Sequence, residues 1–258
     1  MPTAVEAGEF RPVIENAAAT GRIVLVCEHA SSFIPAEWGE LGLSADLRQA
    51  HIAWDPGALQ VARGLMQRLD AVLVQAPVSR LVYDCNRGPD RPGAMPVKSE
   101  VHDIPGTLGL TAAQRLRRVE AVYLPWVAGL HGLIAGRIAL GLRPVVVTVH
   151  SFTPVYFGVR RAVEFGVIHD ADAGFSRAIL AAARGTGLAC ELNAPYSAAD
   201  DVTHTLRMQA TPYGLPNAML EIRNDLIGSA DDCTAMAETL APVINMGLVE
   251  IQRQAKAG

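Results

Sequence analysis

Short apolar runs rich in β-branched residues recur along this chain, and several of them stop on ionisable groups. The longest, "VVVTVH" at 145–150, ends on His150 and Ser151, and "RIVLVCEHA" at 22–30 ends on Glu28 and His29. "AVLVQAPVSRLVYDCNR" reads as one or two strands broken near Pro77, closing on Asp84 to Arg87. "AVEFGVIHD" ends on His169 and Asp170, "LACELNAPYS" is strand and loop, and "PNAMLEIRND" ends on Glu221 to Asp225. Near-continuous apolar runs fit strands covered on both faces, the mark of a parallel sheet. Helical stretches lie between them: "SADLRQAHIAW" capped by Ser44, "PGALQVARGLMQRL" opened by Pro56, and a long stretch from Thr111 to about Leu140 bent at Pro125. "AGFSRAILAAARGTG", stopped by glycine, and the closing "DDCTAMAETLAPVINMGLVEIQRQAKA" complete the set. The expected fold is α/β, a single three-layer domain with a mixed, mostly parallel sheet and helices on both faces. With no repeat and no linker, one domain is expected over 1–258, with 1–20 as an N-terminal extension. "RPGAMPVKSEVHDIPG" is a long loop of the kind that covers a site.

Charge and cysteine usage exclude several function classes. The net charge is only −4 and no block of lysine or arginine occurs, so no nucleic-acid surface is expected. No run of about 18 apolar residues is free of charge, so no membrane span is expected. The first residues, "MPTAVEAGEF", carry acids and no compact apolar core, unlike a secretory signal. Cys27, Cys85, Cys190 and Cys233 lie far apart with no CxxC pair, which suits reduced, mostly buried thiols in a cytoplasmic protein. A small molecule is the expected partner, and none of these features fixes an oligomeric state.

The polar strand ends suggest chemistry. In an open α/β sheet the carboxyl ends of neighbouring strands converge on one crevice, where ligands bind. Two histidines and a carboxylate meeting there would suit zinc with a fourth position for water. The competing reading is polar strand ends without chemistry. A serine nucleophile at Ser151 is a poor alternative, because an adjacent histidine cannot easily serve as its base and no GxSxG elbow is present.

Taken in order, "VLVCEHASSFIP", "HIAWDPGA", "SRLVYDCNRGPDRPG", "VTVHSFTP" and "LEIRNDLI" resemble the N-formylglutamate amidohydrolase family, over about Ile23 to Ile227. That family is distantly similar to zinc carboxypeptidases and aspartoacylases, which implies a carboxypeptidase- or phosphorylase/hydrolase-like fold. The resemblance implies His29 and His150 as zinc ligands. The distant relatives take a third ligand from a glutamate three residues after the first histidine, where this chain has Ser32. Asp55 is then the first choice for the third ligand and Glu28 the second; Asp55 could instead cap the helix that Pro56 opens. Glu221 corresponds to the general base that takes a proton from the activated water and passes it to the leaving amine, unless it merely pairs with Arg223 on the same strand face. Arg80, Asn86 and Arg87 match a substrate-carboxylate clamp, with Asp84 able to neutralise one arginine instead. His51 could orient Asp55. "CEHASSFIP" departs from the Pro-His-Ser-Gly run of the histidine-degradation enzyme, which leaves the acyl group and amino acid open. The expected function is zinc-dependent removal of an N-formyl or other N-acyl group from an acidic amino acid. The alternatives are a non-catalytic binding protein for such compounds, and a zinc hydrolase of other N-acyl amino acids or peptides.

Overall fold

The structure, a computed structural model, describes residues 9–257; the first eight residues of the expected N-terminal extension lie outside the described part. Eleven strands follow in chain order: β1 (Val13–Glu15), β2 (Ile23–Cys27), β3 (Val72–Gln75), β4 (Lys98–Ser99), β5 (His102–Asp103), β6 (Val145–Phe152), β7 (Val155–Tyr156), β8 (Val159–Arg160), β9 (Phe165–Ile168), β10 (Cys190–Leu192) and β11 (Asn217–Arg223). The helices are α1 (Ala45–Gln49), α2 (Ala58–Arg68), α3 (Ala112–Arg118), α4 (Leu124–Ala139), α5 (Gly174–Ala183), α6 (His204–Gln209) and α7 (Ala230–Ala257). Seven strands form one sheet in the order β1-β3-β2-β6-β11-β9-β10, while β4 with β5 and β7 with β8 make two small hairpins.

The sheet is parallel through β3, β2, β6 and β11, as the buried runs imply. It is mixed at both sides. β9 runs antiparallel to β11 and β10 parallel to β9. At the other edge Val13–Glu15, within the segment read as an extension, pairs antiparallel with β3. The run after Pro77 forms no second strand; it turns back instead, with Ser79 N donating to Phe33 O at 2.8 Å. That irregular backbone carries residues 80–87 to the sheet's carboxyl edge.

Alternation along the strands divides the core in two. Leu25, Cys27, Val147, Val149, Leu220 and Ile222 face α2, α5 and α7. Val24, Val26, Val146 and Met219 face the other layer, with Trp126, Leu130 and Ile134 of α4. α3 and α4 are joined by a π-turn at Val119–Tyr123 that immediately precedes Pro125, the residue expected to bend the stretch. Thr111 and Gln114 cap α3 reciprocally. Ala112–Ala139 is apolar and long enough to cross a membrane by length and composition; here its Trp126, Leu130 and Ile134 pack into the core. All four cysteines are free, three of them buried.

Two glycines shape the edge where the strand ends gather. Gly57 has φ +80°, and a Cβ there would lie 2.5 Å from Ile227 O. It lets the Asp55–Pro56 turn feed directly into α2. Gly166, opposite Glu221 on the antiparallel pair, leaves room for Ala194 O, which a Cβ would meet at 1.9 Å.

Candidate active site

Three adjacent parallel strands deliver the chemistry. His29 follows β2, His150 lies on β6 and Glu221 lies on β11 directly beside His150 in register. Asp55 reaches the same point from the turn before α2, with its backbone N bonded to His29 O at 2.9 Å. His29 Nδ1 is 3.2 Å from Asp55 Oδ2 and 3.2 Å from His150 Nδ1, and His150 Nδ1 is 2.9 Å from the same Asp55 oxygen. All three residues are buried. Asp55 does not cap α2 with its side chain: Gly57 occupies the N-cap position.

The far nitrogens of both rings face carboxylates. His29 Nε2 lies 2.8 Å from Asp84 Oδ1, and His150 Nε2 lies 3.1 Å from Glu28 Oε2 at ion-pair distance, off the hydrogen-bond direction. Glu28 therefore stands behind His150 and does not join the ligand triangle. Alternation predicts this, since two residues beyond Val26 the chain still points to the His150 face, while the turn after Cys27 swings His29 round. The two Nδ1 atoms and Asp55 Oδ2 converge on one point, with His29 Nε2 held by Asp84 and His150 Nε2 beside Glu28. Either extra protons or one cation must neutralise that convergence. The donor set, two imidazoles and a carboxylate with outer carboxylates fixing the rings, fits a divalent metal such as zinc. Electrostatics point the same way. Burial works against ionisation of Asp55, Asp84 and Glu28, yet the imidazoles, and for Asp84 also Arg80, hold all three below the usual carboxylate range. Burial likewise disfavours charge on His150, but Glu28 and Asp55 raise its pKa well above the ordinary value. The same field would draw in a cation.

Glu221 is 4% exposed and its Oε2 has no hydrogen-bond partner. Burial pushes its pKa up to about 7, against the pull of His150. It makes no pair with Arg223, which bonds instead to Asp225 at 2.8 Å and Glu164 at 3.2 Å. A cavity of about 210 Å³ joins Glu221 to the histidines, Asp55, Arg80 and Arg87.

The family model described as N-formylglutamate amidohydrolase matches residues 21–228. The chain belongs to that family. It is a hydrolase of amide bonds. The crystal structure of gene product Atu2144 from Agrobacterium tumefaciens is 51% identical, with a TM-score of 0.93, over 95% of this chain and 97% of that one. An N-formylglutamate amidohydrolase from Ralstonia eutropha JMP134 shares the fold at 17% identity and a TM-score of 0.64, over 94% of this chain and 99% of its own. No curated protein matches the chain.

For a member of this amidohydrolase family, the remaining candidates fall into distinct places. Arg80 donates to Asp84 Oδ2 at 2.8 Å and to Asp55 Oδ1 at 3.4 Å, so two carboxylates already balance its charge. Asn86 lines the cavity, but both its amide atoms are engaged: Nδ2 with Val202 O, and Oδ1 with Thr205 N at 3.0 Å. It ties down the 202–205 wall. Arg87 lines the cavity, and its guanidinium bonds only to Asn86 O, at 2.9 Å, among the described residues. His51 does not touch Asp55; it pairs with Glu100 at 2.8 Å. Ser151 Oγ donates to Pro56 O at 2.8 Å, which leaves it no nucleophile's role. Ser32 faces Gln49, away from the cluster.

Sequence reasoning missed two groups. Asp84, which the sequence marks only as an arginine partner, also fixes His29; its signal is its place beside the Asn-Arg pair. Tyr196 lines the cavity from the loop after β10, and burial pushes its hydroxyl up to about 12, keeping its proton at neutral pH. No pattern pointed to it.

Proposed function

We propose that this amidohydrolase is zinc-dependent and removes an N-formyl or related N-acyl group from an acidic amino acid. His29, Asp55 and His150 are the metal ligands in this reading. Zinc held there would polarise the amide carbonyl and bring a water's pKa towards neutrality. The observation that carries the reading is the convergence of both Nδ1 atoms and Asp55 Oδ2 within about hydrogen-bond distance, beside a buried carboxylate with an unpartnered oxygen.

Glu221 is the general base and later the general acid. Its ionised form takes a proton from the attacking water, and its neutral form delivers that proton to the departing amine nitrogen. A carboxyl pKa near the working pH makes both directions accessible. Arg80, paired with Asp55 and Asp84, holds both carboxylates in place beside the ligand cluster. Arg87 offers a two-pronged donor to a substrate carboxylate, and Asn86 holds the wall beside it.

The test is a panel of N-formyl, N-acetyl and peptide substrates, assayed on zinc-loaded and chelated protein. Zinc-dependent formate release from N-formylglutamate is expected. Turnover of the acetyl or peptide compounds with none of any formyl amino acid would reassign the substrate.

A further inference from the structure

The inner cavity continues into an outer chamber of about 730 Å³; Arg87, Tyr156, Tyr196 and Val202 line both. Arg161, on the segment between β8 and β9, lines only the outer one. Its guanidinium carbon sits 4.3 Å from the ring centre of Tyr156, 4.9 Å from that of Tyr196 and 5.4 Å from that of Phe152. Its hydrogen bonds go to neutral oxygens, Tyr196 Oη at 2.9 Å and Thr153 O at 3.4 Å.

This sets Arg161 apart from its neighbours. Arg80 is held by Asp55 and Asp84, Arg223 by Glu164 and Asp225, and Arg207 by Asp201. Arg87 and Arg161 have no carboxylate within ion-pair distance among the described residues, and both open onto the same chamber. The acid on the chamber wall, Asp200, is occupied: its Oδ2 accepts from Ser197 N at 2.8 Å and from Ser197 Oγ at 3.1 Å. Aromatic faces attract a guanidinium without cancelling its charge, and they restrict its rotamers before a ligand arrives. A charge so held, half-buried and unpaired, is suited to an incoming anion. One free arginine would serve a monocarboxylate. Two, on one chamber, match a dicarboxylate.

We infer that Arg87 and Arg161 form a two-point carboxylate receptor, with Arg161 the residue that selects N-acyl derivatives of dicarboxylic over neutral amino acids. The inference rests on the amide-hydrolysis reading for its reaction, but not for its binding test. Titration calorimetry of the zinc-loaded protein with glutarate and with butyrate separates the two. Wild-type protein is expected to prefer glutarate. Arg161→Met should weaken glutarate binding by about 10- to 100-fold, the worth of a charged hydrogen-bonded pair, and butyrate binding by less than about threefold. In parallel, KM for N-formylglutamate should rise by a similar factor in the variant while N-formylmethionine turnover is nearly unchanged. If the methionine variant fails to fold by circular dichroism, Arg161→Gln, which retains a donor for Tyr196, carries the same expectation. Unchanged glutarate binding, or equal loss for glutarate and butyrate, would overturn the inference. Selective glutarate binding with no formate release from any substrate would leave the receptor standing and remove the hydrolase reading instead.

Discussion

The inner cluster and the outer chamber are built on opposite electrostatic plans. In the cluster each imidazole and Arg80 faces carboxylates, His29 Asp55 and Asp84, His150 Asp55 and Glu28, Arg80 two aspartates, while the buried Glu221 keeps an oxygen unpartnered. Its groups sit on strand ends or on turns locked to them, and nearly all are buried. In the chamber Arg87 and Arg161 lack acidic partners among the described residues and sit on loops, Arg161 between aromatic rings. A rigid, buried cluster with more carboxylates than arginines suits a fixed cation and fixed proton transfers. An unbalanced, partly open wall suits a ligand that comes and goes. Substitutions in the two regions should therefore differ in kind: cluster changes should strike all substrates alike, and chamber changes should strike acidic ones.

The largest effect is expected from His150→Ala, which removes a proposed ligand and the residue beside Glu221 in register. Turnover should fall by about a thousandfold or more on acidic and neutral amides equally, since the metal's contribution is several kcal/mol. A loss confined to acidic substrates would erase the distinction between the regions. Glu221→Gln should lower kcat by about 10²- to 10⁴-fold while leaving metal content and glutarate binding intact. Retained turnover in that variant would move the base elsewhere. Next in size, Asp84→Asn should reduce metal affinity by about 10- to 100-fold by loosening the His29 ring, measured by competition with a chelator. An unchanged affinity would limit Asp84 to holding Arg80.

The pH profile sharpens the comparison further. Glu221 must be ionised to accept a proton, so kcat/KM should fall as pH drops through its pKa. Burial sets that pKa to about 7, and a nearby cation pulls it lower, so the acid limb should lie at or below neutrality. A profile flat down to about pH 5, near an ordinary carboxyl pKa, would speak against a buried base. The smallest effect is expected at the seam between the regions. Gly166→Ala would set a Cβ against Ala194 O, displacing the loop that carries Tyr196. A stability loss of about 1–3 kcal/mol in denaturant melts is expected, with weaker dicarboxylate binding.

This division also explains what was legible in the sequence. The parallel centre of the sheet follows from β-branched runs buried on both faces; register sets Glu221 beside His150, and the turn after β2 brings His29 to the same edge. Asp55 was legible from its motif. The antiparallel placement of β9 was not, because the direction of a short buried strand depends on the connection between β9 and β11, not on its own residues. The role of Glu28 was half-legible: alternation turns it to the His150 face, but only the pairing of β2 with β6 lands it on His150. Tyr196, Arg161 and the Glu100–His51 pair come from loops, where side-chain placement depends on tertiary contacts that no periodicity encodes.

The most direct measurement is the metal content of purified protein after exposure to zinc and removal of the excess. About one ion per chain is expected, as for three protein ligands with a fourth position open to water, and it should be lost when His29 and His150 are both changed to alanine in a variant that still folds. Wild-type protein that takes up no zinc or other divalent metal, or a double variant that holds it as tightly, would contradict the ligand triangle on which the catalytic reading stands.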